Sequence, residues 1–373
     1  MSVEAALRAA VLAHPEDDVA RLIYADWLEE HGQASQARFI RHQIWAAQAE
    51  PHSPTARYHD AQAEALLLSH RFQWTQAIGD RINSYQFHRG FIEQVTVDVA
   101  VFPRDAAALL AVEPIQALRL YRLADTAAGD CLQHFFASPH LERIKRLDFS
   151  SMPVAPVELE GLVGSAFVAN ITELRLSGVA ILPELLERLL LGTAMPQLVA
   201  LDLSDLAHVG PRLAQVLPAL RQRRFRRLDL SRIVLNSQEL QQILASACLR
   251  QIEELMLGWL TGIDRAGPLT HLDLGWVIPW ERLRYLDLNG QGIGDQGIRE
   301  MVREWTMRAG PSPLRWLGLA NNHITPEGLQ MLTEVPESRL KLYCVDVRGN
   351  HLRDSAVRLL QKRFPEAMIL RES

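Results

Sequence analysis

One pattern recurs from residue 115 onward: an apolar residue, two variable residues, and then Leu-x-Leu or a close variant. Its copies are IQALRL (115–120), IKRLDF (144–149), ITELRL (171–176), LVALDL (198–203), FRRLDL (225–230), IEELML (252–257), LTHLDL (269–274), LRYLDL (283–288), LRWLGL (314–319) and LYCVDV (342–347). Alternating apolar residues are typical of a short strand with one buried face. Helical stretches such as SQELQQILASACL (237–249) and DQGIREMVREWTM (295–307) follow the strands. The chain is therefore predicted to be an α/β solenoid of strand-turn-helix units.

The spacing of the copies indicates the size of one unit. The first leucines of the copies lie at positions 118, 147, 174, 201, 228 and 255, so the period is constant after a slightly longer first step. The next two lie at positions 272 and 286, and each of these steps is too short to contain a full helix. The segment LTGIDRAGPLTHLDLGWVIPW (260–280) is thus predicted to be a compressed unit crowded by Trp259, Trp276 and Trp280.

These copies resemble leucine-rich repeats of the long, ribonuclease-inhibitor type, over about residues 90–370. The resemblance implies a horseshoe with a parallel sheet on its concave side and helices on its convex side. LRDSAVRLLQKRF (352–364) is predicted to be the last helix, and AMIL (367–370) a final edge strand.

Residues 1–80 contain only helical patterns. Ser2, the Pro15–Asp18 run and Ser53-Pro54 suit helix starts, and Gly32 suits a helix end. PEDDVARLIYADWLEEHGQASQARFIRHQ resembles the small repeat-companion domain of planctomycete and myxobacterial proteins, over roughly residues 4–48. That family supplies no catalytic residues, and HRGFIEQV (88–95) is similar to its linkers.

The predicted domains are an all-α helical cap (1–80), a linker with a first capping strand and helix (81–114), and the repeats (115–373). The helices of the cap are expected to dock on the first strands around Val95 and Val97, because the apolar end of a repeat array must be shielded from water.

Composition narrows the class of protein. The 373 residues carry a net charge of −5, and the whole imbalance lies in residues 1–80, which hold six arginines and eleven acidic residues. Nucleic-acid binding is not expected, because it needs a basic face. No apolar run is long enough for a membrane span, and the N-terminus does not look like a secretory signal. Three distant cysteines suit a reducing compartment, so we expect a cytoplasmic protein. The resemblance to planctomycete and myxobacterial proteins implies a bacterial protein, and we expect a monomer.

A few acidic and thiol groups are candidates for chemistry. Asp26, Glu29 and Glu30 suggest a carboxylate site, but an ion pair from Asp26 to Arg38 or Arg41 across a helical hairpin explains them better. Cys344 and Asp346 resemble the Cys-x-Asp of bacterial ubiquitin ligases that carry leucine-rich repeats, yet here they lie inside a repeat strand. The sequence contains no phosphate loop, HExxH, Cys-x-x-Cys or GxSxG motif. No catalytic, cofactor-binding or metal-binding residue is predicted.

Residues beside the buried leucines are expected to point to the concave surface. There they form a mosaic of arginines and acids, joined in the second half by aromatic residues, which are common at binding hot spots. The predicted partner-binding residues are Arg146, Arg175, Arg227, Met256, Trp259, Trp276, Tyr285 and Trp316. RQRRFRR (221–227) is either a patch for an anionic partner or a solvated loop with Arg226 and Arg227 paired to nearby acids.

Tyr285 and Trp316 occupy the same position in adjacent repeats. Because neighbouring parallel strands lie about 4.8 Å apart, their rings are predicted to stack or touch. Both rings are expected to be accessible, since the leucines fill the core.

The sequence favours a non-enzymatic scaffold that binds a partner protein on the concave face. One alternative is a GTPase-activating protein, since the eukaryotic Ran-activating proteins use this repeat type; faster turnover by a small GTPase would distinguish it. The other is a ubiquitin-ligase-like enzyme that uses Cys344, which requires a thiol that reacts with alkylating probes.

Overall fold

The computed structural model describes residues 2–76, 78–79, 82–122, 130–206, 208–261 and 268–372, without the side chains of Asp130 and His271. Within these ranges the chain forms two compact units. The first comprises residues 1–152 and 164–171, and the second comprises residues 153–163 and 172–373.

The first unit begins with four helices. They are α1 (Val3–Ala13), α2 (Asp18–Glu30), α3 (Ala34–Gln48) and α4 (Pro54–Trp74). The hydroxyl of Ser2 and the carboxylate of Asp17 accept hydrogen bonds from backbone N–H groups at the starts of α1 and α2, and Ser53 does the same for α4. Gly32 ends the turn after α2 with a φ of 80°, as the sequence predicts.

The helices α1 to α3 share one apolar cluster. Its buried members are Val11, Tyr24, Ala25, Leu28, Ala37, Ile40, Ile44 and Phe91. The side of α2 that faces the cluster contains Tyr24, Ala25, Leu28 and Arg21, whereas Ile23 is half exposed. The presence of Phe91 shows that the helices pack on the start of the following strand.

The rest of the first unit contains four strands and two helices. They are β1 (Ser84–His88), β2 (Phe91–Asp98), α5 (Phe102–Val112), β3 (Ala117–Tyr121), α6 (Asp130–Phe136) and β4 (Arg146–Asp148). The strands β1 and β2 form an antiparallel hairpin, and β3 and β4 then add in parallel.

The second unit contains eight parallel strands. They are β5 (Glu173–Arg175), β6 (Ala200–Asp202), β7 (Arg227–Asp229), β8 (Glu254–Met256), β9 (Tyr285–Asp287), β10 (Trp316–Gly318), β11 (Cys344–Asp346) and β12 (Met368–Leu370). The central residue of each strand pairs with the central residue of the next strand, from Leu174 and Leu201 through to Val345 and Ile369. The central leucines are fully buried, and burial of each stabilises the fold by roughly 2 kcal/mol. The final strand at AMIL is confirmed.

Helices alternate with these strands. They are α7 (Glu160–Gly164), whose last residue belongs to the first unit, α8 (Pro183–Leu191), α9 (Gly210–Ala219), α10 (Ser237–Leu244), α11 (Leu274–Val277), α12 (Gly294–Met307), α13 (Pro326–Glu334) and α14 (Asp354–Arg363). None of the helices in the described part of the chain has both the length and the apolar character needed to cross a bilayer.

The predicted strand at LTHLDL is wrong. Strand β8 pairs directly with β9, so the chain between Leu255 and Leu286 is the crossover of a single unit. Instead of a strand, this segment contains a 3-10 turn at Pro268–His271 and the one-turn helix α11, which Asp273 caps. Parallel neighbours need a long crossover connection, and the whole chain between these two leucines serves as one such connection. Residues 262–267 of the predicted compressed unit lie outside the described residues.

Candidate interaction surface

The strands of the second unit present one row of side chains on each side of their buried central residues. One row is Glu173, Ala200, Arg227, Glu254, Tyr285, Trp316 and Cys344; the other is Arg175, Asp202, Asp229, Met256, Asp287, Gly318 and Asp346. We call these two rows the strand face. Because successive side chains of a strand point to opposite sides, the strand face lies opposite the buried leucines.

Aspartates of the strand face shape the turns that follow the strands. Asp202, Asp229 and Asp287 each accept a hydrogen bond from the backbone N–H two residues on, at 2.8–2.9 Å. This Asx-turn explains why an acid recurs after the leucine of the motif. These carboxylates therefore have a local structural role, whatever else they contact.

Asp287 has a strongly perturbed acidity. Its pKa is raised to about 6: burial is the largest cause, the hydrogen bond from Asn289 opposes it, and the negative charges of Asp229 and Asp346 add to the rise. The pKa of Asp229 is also raised, first by burial and then by the charge of Asp202. Among the described residues, no arginine, lysine or histidine forms an ion pair with Asp202, Asp229 or Asp287. This part of the face thus has negative charge without a paired cation.

The predicted stacking of Tyr285 and Trp316 is confirmed. Their ring centroids lie 3.9 Å apart with planes at 7° to each other. The accessibility expected for Trp316 is wrong, because only 9% of it is exposed. Its indole lies on Tyr285 and over Gly318, where a Cβ atom would meet both the indole and the Asp287 carboxylate. Glycine at 318 lets the ring lie flat on the sheet.

The two arginines predicted on these strands form ion pairs within the face. Arg175 bonds to Glu173 of its own strand at 2.6 Å, and Arg227 bonds to Glu254 of the next strand at 3.1 Å. Both arginines remain about one-third exposed. Glu254, which is not among the residues selected from the sequence, is 43% exposed at its side chain and lies between Arg227 and Tyr285.

Arg146 lies in β4 of the first unit. There its charge acts on a buried network in which Arg21 bonds to Glu93 at 2.6 Å and to backbone carbonyls of His88 and Arg89. Burial, followed by the charges of Arg89 and Arg146, lowers the pKa of His88 to about 4. Arg146 therefore belongs to the surroundings of that network.

Met256 and Trp259 lie at neighbouring positions near the end of β8. Met256 is buried, so it contributes little accessible area. Trp259 is 45% exposed and has a left-handed backbone with a φ of 57°. Its ring covers Gly290, which occupies the left-handed position of the next turn and has no room for a side chain. Trp259 thus contributes an exposed aromatic surface at the turn that follows β8.

Trp276 is not on the strand face. The motif pattern predicts a position just past a strand, but Trp276 lies in α11, on the crossover, and is 83% exposed. Trp280 is buried against Trp305, with ring centroids 5.5 Å apart. Of the three tryptophans around the compressed segment, one fills the core and two are exposed.

In the run RQRRFRR (221–227), the arginine at position 223 has a structural role. Arg223 donates hydrogen bonds to the carbonyls of Leu189, Leu190 and Gly192 at the end of α8, and to that of Met195. Burial lowers its pKa. The predicted pairing of Arg227 with Glu254 is confirmed, and Arg221 and Arg226 are exposed.

The carboxylates near the N-terminus form ion pairs. Arg41 bonds to Asp26 and to Glu29, both at 2.7 Å, which confirms the predicted pairing across the helical hairpin. Cys344 is fully buried in β11. Within the described ranges, no three His, Cys, Asp or Glu side chains are grouped so that they could hold a metal ion.

A comparison with family models and with curated proteins found no match. Among solved structures, a protein from Bacteroides fragilis is 14% identical, covering 85% of this chain and 83% of its own, with a TM-score of 0.37. A leucine-rich repeat protein from Leptospira interrogans is 14% identical, covering 68% of this chain and 89% of its own, with a TM-score of 0.26. The strand register and the alternating helices of this chain are themselves consistent with a leucine-rich repeat solenoid.

Proposed function

We propose that this chain is a non-enzymatic scaffold that binds a partner protein on the strand face, around β7 to β9. The observation that supports this most is the composition of that area. Exposed Trp259, the 43% exposed side chain of Glu254 and partly buried Tyr285 adjoin Asp229 and Asp287, two half-buried carboxylates without a paired cation in the described part of the chain. Aromatic and charged side chains of this kind dominate binding energy at interfaces.

The charge of the area favours a particular kind of partner. An arginine or lysine of a partner would supply the missing cation to Asp229 and Asp287 and lower their pKa values. The aromatic rings beside them would also accept a cation over their faces. The proposed partner therefore presents basic side chains. Arg146 and Trp276 would lie outside this contact, and Met256 and Trp316 would support it by packing against the side chains that form it.

The same proposal includes a role for the N-terminal helices and a curved arrangement of the repeats. The helices of residues 1–80 would act as a cap of the repeat-companion type, because the apolar end of a repeat array must be shielded from water. The repeats would curve into a horseshoe with the strand face inside. A monomeric protein of the bacterial cytoplasm would suit this role.

The test is affinity capture from a lysate of the native cell, with captured proteins quantified by mass spectrometry. The face variant is Glu254→Arg with Trp259→Ala, two exposed residues beside the carboxylates. The matched control is Glu187→Arg with Leu191→Ala, which makes the same kinds of change on the exposed side of α8. A partner held by the wild type and the control but lost with the face variant supports the proposal. Equal capture by all three proteins contradicts it.

A further inference from the structure

The repeat that contains α11 has an unusual crossover. Its neighbours α10 and α12 have 8 and 14 residues, whereas α11 has 4. Next to this single turn lies a groove with a volume of about 570 Å³. Its apolar lining residues are Leu244, Ala245, Leu249, Val277, Ile278 and Pro279. A volume of this size is in the range of sites that take small ligands or short peptide segments.

An aromatic side chain stands at this groove without a role in the core. Trp276 lines it and is 83% exposed. Trp280 and Trp305 already fill the interior behind α11. Its exposed ring extends the apolar surface of the groove, and tryptophan is enriched among the residues that dominate binding energy at interaction sites.

Positive charge dominates among the ionisable residues of the groove. Arg250 and Arg282 both line it and are exposed, and Glu281 is the one acidic residue in its lining. Among the described residues, neither arginine has an ion-pair partner. A guanidinium group binds a carboxylate through two parallel hydrogen bonds.

We propose that this groove binds a short acidic peptide segment that carries a bulky apolar side chain. The apolar side chain enters between Leu244 and Ile278 and packs on Trp276, and flanking carboxylates bind Arg250 and Arg282. The groove lies among the crossover segments, so this site is separate from the strand face.

The test uses fluorescence anisotropy with a labelled hexapeptide, a Leu-Phe pair between two pairs of glutamates, and the full chain. We expect saturable binding that weakens with added salt. Trp276→Ala, and Arg250→Ala with Arg282→Ala, should each weaken binding by about tenfold or more, as for hot-spot residues. Because all three side chains are exposed, the variants should fold normally, which circular dichroism checks.

Matched controls distinguish specific binding at this groove from nonspecific binding of the peptide. Arg299→Ala on α12 and the strand-face variant Glu254→Arg should leave the affinity of the hexapeptide unchanged. A peptide with lysines in place of the glutamates, and one with two serines in place of Leu-Phe, should not bind. No binding of the acidic hexapeptide up to about 1 mM, equal binding of the lysine peptide, or full affinity in the groove variants overturns the proposal.

Discussion

The exposure of a single side chain depends on its neighbours as much as on its position in a strand. Trp316 occupies a surface position by periodicity, yet Tyr285 on one side and Gly318 beneath leave it 9% exposed. At 318 the absence of a side chain creates the space that the indole fills. Trp316 thus packs like a core residue on the solvent side of the sheet.

Replacing Trp316 with alanine should therefore reduce the free energy of unfolding by about 2–4 kcal/mol, since a buried ring is lost and its cavity cannot fully collapse. Trp276→Ala is the matched control and should change it by less than about 0.5 kcal/mol, because the ring is exposed. Urea denaturation followed by circular dichroism measures both. A change below about 1 kcal/mol for Trp316→Ala would contradict its burial.

The raised pKa of Asp287 predicts that the free energy of unfolding depends on pH. Its pKa is raised to about 6 in the folded chain, against an ordinary value near 3.8, so the folded state binds the proton more tightly than the unfolded state. Ionisation then disfavours the fold, and this penalty is absent below about pH 4, grows between pH 4 and 6, and is complete above pH 6. Its full size would be at most about 3 kcal/mol.

Asp287→Asn keeps an oxygen that can accept the N–H of Asn289 but removes the charge. The variant should therefore be more stable than the wild type at pH 7 and equally stable at pH 4, as measured by unfolding in urea across this range. A variant that is less stable at pH 7 would show that the carboxylate is stabilised in a way its surroundings do not reveal.

At the scale of elements, an arginine joins consecutive repeats. Arg223 closes the end of α8 by donating hydrogen bonds to carbonyls that the helix leaves unsatisfied. Arg363 does the same for the carbonyl of Val335 after α13, and Arg339 for that of Arg308 after α12. In these three cases a later repeat completes the helix end of the one before it.

Arg223→Ala should lower the free energy of unfolding by about 1–3 kcal/mol, because several partly buried carbonyls lose their donor. Arg221→Ala, an exposed neighbour in the same run of arginines, should cost less than about 0.5 kcal/mol. Thermal or urea unfolding of the two variants side by side is the measurement. Equal effects would mean that the run acts only through its net charge.

At the scale of the whole molecule, the helices of residues 1–80 and the first strands form one packed body. Phe91 belongs to the cluster of α1 to α3, and fully buried Arg21 bonds to buried Glu93. The sequence predicts docking around Val95 and Val97, and the contacts named here lie at the start of the same strand, β2. Breaking a buried ion pair by removing one partner typically costs about 3–5 kcal/mol.

A fragment of residues 85–373 should therefore aggregate or unfold readily, since deletion exposes Phe91 and removes Arg21 from Glu93. Size-exclusion chromatography with light scattering, and denaturation of any soluble fraction, are the measurements. A soluble, monomeric fragment that unfolds cooperatively would show that the helices are an independent domain.

The sequence by itself determined the elements that repeat. Nine of the ten motif copies are strands, the final strand lies at AMIL, and the helix starts at Ser2 and Ser53 have the expected caps. These features depend on local patterns, namely alternation, the leucine period and capping chemistry, which neighbours along the chain suffice to set. The sequence also predicted an ion pair of Asp26 with Arg38 or Arg41, and the structure forms the pair with Arg41.

Only the tertiary structure decided what the non-repeating residues do. LTHLDL has the strand motif, but β9 occupies the place beside β8, so the segment forms a turn and a short helix instead. Trp276, Trp280 and Trp316 all have apolar neighbours along the chain, yet one is exposed, one is core and one is covered by a stacked ring. Exposure depends on which side chains from other repeats occupy the adjacent space, and the pattern around one residue does not contain that information.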